Sequence, residues 1–224
     1  ISQHSVLRRK WCKWLPDMSR DLADMYGKQK IFWDLQEITE ENASILSRGE
    51  FFDWMCRNYI IAMSVSIRSF VDHSRDVHSL WKMLYEILEY PGVISRSSHV
   101  ALYKGFSHGF DIANHTFNAV AGKSSKYLSQ KSIKSDLKCI EDASDRVRKF
   151  VNKRVAHRTS LGQLRRLPTF KELDETLDVI DRIFCKYNLL LTAGGLHSTK
   201  PVCQYDWMEV LWEPWVRKGS RFRP

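Results

Sequence analysis

The chain is sparing with cysteine: Cys12, Cys56, Cys139, Cys185 and Cys203 are scattered, odd in number and never spaced C-x-x-C. That pattern argues against a disulfide framework and against a zinc site built on paired thiolates. Long apolar runs are missing as well. Nothing approaches the roughly 18 consecutive apolar residues of a membrane span, and the basic start ISQHSVLRRKW lacks the apolar core of a signal peptide. A cytoplasmic protein with no membrane contact is the expectation. Strand signals are scarce, with no sustained period-two alternation and no Asn-Gly or Asp-Gly between apolar runs. A Walker-type loop and a G-x-S-x-G elbow are both absent, which leaves kinase and hydrolase readings without support. No compact helix pair with a glycine turn and a basic second helix suggests a helix-turn-helix DNA reader.

What is present is apolar material for a core and an excess of positive charge. The 224 residues are 43% hydrophobic and 12% aromatic, enough for one substantial domain spanning residues 1–224. Thirty-five Lys and Arg against 26 Asp and Glu give a formal charge of +9, which favours contact with polyanions such as RNA.

Helical periodicity dominates. Met55, Tyr59, Met63, Ile67 and Phe70 form one stripe over residues 50–73, and Arg68 and Asp72 share a face at i and i+4, the spacing of an ion pair. Leu80, Leu84, Ile87 and Leu88 repeat the pattern over 79–90, ended by Pro91-Gly92. The connection is short, so these two helices are expected to pack as an antiparallel pair. Glycines and serines blur residues 93–132: one or two poorly bounded helices are expected over 98–121, and a solvated basic connection over 123–134. From Ser135, Leu137, Ile140, Ser144, Val147, Val151 and Val155 trace a stripe up to His157. Thr169 and Glu172 match a capping box that opens another helix, carried by Leu173, Leu177, Ile180, Phe184 and Leu191 and stopped by Gly194-Gly195. The core is placed at about residues 30–200. DWMEVLWEPW, within a tail of about 205–224, is expected to dock its aromatics on the bundle.

The stretch VNKRVAHRTS carries the chemistry. On an ideal helix His157 falls within roughly 60° of Arg146, Phe150, Lys153 and Arg154, off the apolar stripe and on a basic flank. Positive neighbours favour a neutral imidazole, which can act as a general base. A helix-end histidine capping C-terminal carbonyls fits the same residues. Two other histidine groups are weaker. His73 and His78, beside Asp72 and Asp76, lack regular ligand spacing and read as a solvated interhelical turn; His108 and His115 could share a helix face but lack a third ligand. No metal and no cofactor is expected.

Taken together, FFDWMCRNYIIAMSVSIRSFVD, SLWKMLYEILEYPGVISR, VNKRVAHR and DWMEVLWEPW resemble the abortive-infection, AbiU-like branch of the HEPN superfamily over about residues 30–215. The resemblance implies an all-α antiparallel helical bundle with a four-helix core and extra terminal helices, pairing as a homodimer. It also implies a metal-independent endoribonuclease of a phage-defence or toxin-type system, with an antitoxin or defence-system protein as a further partner. In such a site the His serves in proton transfer and an Arg five to seven positions before it stabilises phosphate charge, a division of labour phosphoryl chemistry requires.

Here the corresponding positions hold Phe150, Val151 and Asn152, none of them cationic. The candidate catalytic residues are therefore His157 and Arg154, with Arg158, Arg146, Lys153, Asn152 and Arg68 as candidates for RNA or phosphate binding. Two further readings stay open: a non-catalytic module binding RNA, a nucleotide or a protein partner, and a structural helical interaction protein.

Overall fold

Apolar residues at every third or fourth position put one helix, α7 (Phe170–Thr192), at the centre of the molecule, with Leu173, Leu177, Ile180, Phe184 and Leu191 all buried. The structure, a computed structural model, describes residues 3–42, 49–155, 168–202, 204–212, 219 and 221. Among these, seven helices pack together: α1 (Gln3–Glu41), α2 (Glu50–Phe70), α3 (Leu80–Glu89), α4 (Arg96–Ala101), α5 (Gly109–Ala121), α6 (Gln130–Phe150) and α7. No strand is present among the described residues; a lone antiparallel bridge joins Ser95 and Tyr127. None of the described helices is long and apolar enough to cross a membrane.

The ends of α7 are satisfied chemically. Thr169 Oγ1 accepts from the Glu172 amide at 3.2 Å, and Glu172 Oε2 accepts from the Thr169 amide at 2.8 Å, closing the capping box. At the far end Arg8 Nη2 donates to the Leu191 carbonyl at 2.7 Å, placing a cation where the helix dipole is negative. His99, fully buried, sits 3.3 Å from the Leu190 carbonyl through Nδ1 and 2.9 Å from Thr116 Oγ1 through Nε2.

The core begins far earlier than residue 30. In α1, Trp11, Leu15, Met18, Leu22 and Met25 alternate by four and three positions and are buried, despite Pro16 within the helix. α1 runs antiparallel to α7, as Arg8 to Leu191, Tyr26 to Asp178 and Trp33 to Asp174 require. α6 is also antiparallel to α7: Tyr187 and Lys186 bond Asp136, while Thr176 bonds the Ala143 carbonyl. α2 packs on α1, α6 and α7, with Tyr59 stacked on Phe32 at 3.9 Å.

Several sequence expectations need correction. α2 and α3 do not form a packed pair: α3 lies chiefly against α6, where Trp81 Nε1 donates to Glu141 at 2.7 Å. α6 starts at Gln130, because Ser129 caps it and Leu128 and Ile133 are buried, so 130–134 is helix rather than solvated connection. Residues 98–121 resolve into α4 and α5, and a Cβ at Gly109 would collide with the Tyr103 carbonyl. His108 caps α5 with φ 55°, so it does not share a helix face with His115. Among the described tail residues, Trp207 Nε1 donates to Asp34 at 2.6 Å, whereas Tyr205 and Trp212 stay 79% and 70% exposed; Trp215 lies outside the described residues.

Candidate functional site

The last turn of α2 carries Arg68, a cation placed favourably at the negative end of the helix. Its Nη1 lies 2.9 Å from Asp72 Oδ2, the ion pair expected from the i, i+4 spacing, and its Nε reaches Asn152 Oδ1 at 3.4 Å. Burial pushes the Asp72 carboxyl up, but donors from Ser74 and the charge of Arg68 outweigh it and hold the group below its ordinary range. The connection is pinned by Ser79, whose hydroxyl donates to the Asp72 carbonyl at 2.6 Å and accepts from the Lys82 amide as the N-cap of α3.

His73 projects from this pinned turn. Its ring stacks on Trp81 with centroids 3.7 Å apart, and Arg148 Nη1 lies 3.4 Å from its Nε2. Partial burial, then the charge of Arg148, hold the imidazole below its usual pKa. The turn is exposed at residues 73–76 and 78, as expected, with its two histidines stacked on tryptophans. His78 stacks on a different tryptophan, Trp14, at 4.6 Å, so the two imidazoles are held by separate partners.

After Phe150 the backbone widens into a π-helical turn, Val151–Val155. Such turns re-aim side chains and concentrate at functional sites. Phe150 and Val151 point into the core at 5% and 8% exposure, while Asn152 is exposed and meets Arg68. Two of the three positions where the resemblance would put a clamp arginine are therefore core positions, and at the third, Asn152, a cation arrives from α2 instead. His157, which an ideal helix would bring beside Arg146, lies outside the described residues.

Arg68, Asp72, His73, Ser74, Arg148 and Asn152 line one cleft of about 380 Å3. Of the candidate catalytic and RNA-binding residues, Arg68 and Asn152 are in it. Arg146 is drawn off to an ion pair with Glu172 at the start of α7, and Lys153 is exposed on the π turn. His157, Arg158 and the side chain of Arg154 lie outside the described residues.

Comparison with protein-family models, with curated proteins and with solved structures finds no match. The site must be read from its own chemistry. Two guanidiniums, an amide, a hydroxyl and a depressed imidazole make a cleft suited to a phosphodiester, with Arg68 partly neutralised by Asp72. Sequence reasoning missed Arg148, and it considered His73 only as a weak metal ligand, setting it aside as part of a solvated turn. Arg148 carried a usable signal, four positions before Asn152 and so on the same helix face; His73 did not, because its tryptophan partner and its arginine belong to other elements.

Proposed function

We propose that this protein is an RNA-engaging helical module of the HEPN-like kind, acting as a metal-independent endoribonuclease in a phage-defence or toxin-type system. The observation that supports it is the approach of Arg148 to His73 beside Arg68 and Asn152, with Asn152 opening the basic sequence 152–158. In this reading Arg148 and Arg68 hold the non-bridging oxygens of one phosphate. Arg148 turning to the phosphate frees His73 Nε2 to take the proton of the neighbouring 2′-hydroxyl. The 2′-oxygen bonds to phosphorus, the bond from phosphorus to the 5′-oxygen breaks, and the leaving oxygen takes a proton from His157 when that imidazole is in its protonated form, or otherwise from water. The products are a 2′,3′-cyclic phosphate and a 5′-hydroxyl. A homodimer would bring two such clefts together, and an antitoxin or defence-system protein would restrain them.

One observation favours a non-catalytic RNA-binding module: Arg68 is committed to Asp72, and Phe150 and Val151 face inward, so the cleft holds fewer free cations than phosphoryl transfer rewards. An RNA cleavage assay in EDTA on single-stranded and transfer-RNA substrates, with His73→Ala and His157→Ala beside the unaltered protein, separates the readings. Cleavage lost in both variants supports the nuclease. Binding without cleavage moves the assignment to the module, and neither binding nor cleavage contradicts both.

A further inference from the structure

The ring of His73 does not end at Trp81. Trp81 stacks in turn on Tyr85, one helical turn on, with centroids 5.1 Å apart and planes within 14°. The Trp81 ring is fixed by its bond to Glu141, so the three rings form a column running from the cleft along the outside of α3. Tyr85 is 43% exposed although Trp81 covers one face, so its accessible area lies on the other face and the ring edge. Alongside runs one face of α6, on which Lys134, Lys138, Glu141 and Arg148 recur at spacings of three, four and seven, continued by Asn152 on the π turn. Lys134 and Lys138 are exposed, so cations flank the outer end of the column as Arg148 flanks the inner end.

An exposed tyrosine at the end of a rigid column, with cations beside it and a phosphate-suited cleft at its foot, matches the needs of an unpaired nucleotide. A base presents a π face to the ring while its backbone follows the charges. A paired base in a duplex has both faces covered and cannot stack there. We infer that Tyr85 is a base-stacking residue that selects unpaired RNA, seating one base on its outer face when the neighbouring phosphate lies in the cleft beside His73 and Arg148. The inference rests on the RNA reading given above.

The test is fluorescence anisotropy with a labelled single-stranded RNA, the same strand in a duplex, and a strand in which every base of a central tract is replaced by an abasic residue. Tyr85→Ala, Tyr85→Phe and Arg148→Ala are compared with the unaltered protein. Tyr85→Ala should weaken single-strand binding about tenfold, Tyr85→Phe should preserve it, and neither should alter binding of the abasic strand. A Tyr85→Ala variant that binds single strands normally, while Arg148→Ala weakens them, overturns the stacking inference and leaves the RNA reading standing. Failure of the unaltered protein to bind any of the three RNAs overturns that reading, and the inference with it. Because Tyr85 is exposed, the alanine variant should keep the unfolding midpoint of the parent, and the Phe variant checks the ring itself.

Discussion

Nη1 of Arg148 lies 3.4 Å from Nε2 of His73, a contact between residues 75 positions apart that joins α6 to the turn after α2. The guanidinium is the donor, so Nε2 carries the lone pair and Nδ1 the proton. A histidine held in this way is neutral at pH 7 and presents an acceptor into the cleft.

His73 should titrate below the ordinary imidazole range of about 6.5. Replacing Arg148 by Ala removes a positive neighbour and should raise its pKa, whereas Asp72→Asn removes a negative one and should lower it further. Imidazole NMR titration of the three proteins reads both directions; an Arg148→Ala variant with an unmoved or lowered His73 pKa would contradict the electrostatic account.

Stability should decline in two acid stages. His73 and His99 have depressed pKa values in the folded protein, so the unfolded chain binds protons first as pH falls below about 6.5, and stability complete above that point is lost below it. Asp34 and Asp72 are depressed carboxyls, whose contribution is present above about 4 and lost as pH falls through their folded values. Urea midpoints at pH 7.5, 5.5 and 3.5 should fall in that order, and His99→Gln should lower the first and shrink the first step. Equal midpoints at 7.5 and 5.5 would refute the histidine part.

The first helix should carry much of the stability. Trp11 is fully buried and its Nε1 donates to Glu86 at 2.7 Å, so Trp11→Ala should cost about 3–5 kcal/mol in urea unfolding. Trp212, 70% exposed, should tolerate alanine within about 0.5 kcal/mol. A mild Trp11→Ala would mean that α1 is peripheral.

Asp181 ties the chain after α7 back to its own helix. It is 4% exposed and accepts from Ser198 Oγ at 2.6 Å, the Thr199 amide at 3.0 Å and Thr199 Oγ1 at 2.6 Å. Asp181→Ala should cost about 3 kcal/mol and speed hydrogen exchange at the Thr199 amide far more than at Leu177. Unchanged exchange at Thr199 would show that the segment is held by something else.

How much of this was legible follows from the range over which each cause acts. The capping box at Thr169 and Glu172, the Arg68–Asp72 pair and the stripes of α2, α6 and α7 are local devices, visible as spacings of three and four. The stripe of α1 was equally visible at Trp11, Leu15, Met18, Leu22 and Met25, but polar flanks and Pro16 masked it. The packing of α3 on α6, the burial of His99 and the stacking of His73 on Trp81 depend on partners about eight to ninety residues away, which no window reports. The π turn after Phe150, the pairing of Arg146 with Glu172 and the approach of Arg68 to Asn152 likewise join distant elements and left no local spacing to read.

The central claim is that an RNA phosphate is held by Arg148 and Arg68 in the cleft beside His73. The direct measurement is the affinity for single-stranded RNA at a series of salt concentrations, for the unaltered protein and for Arg148→Ala. Loss of one phosphate contact should weaken binding across all sequences and reduce the slope of log affinity against log salt by about 0.7. An Arg148→Ala variant with the parent's affinity and the parent's slope would place the RNA, if bound at all, elsewhere on the molecule.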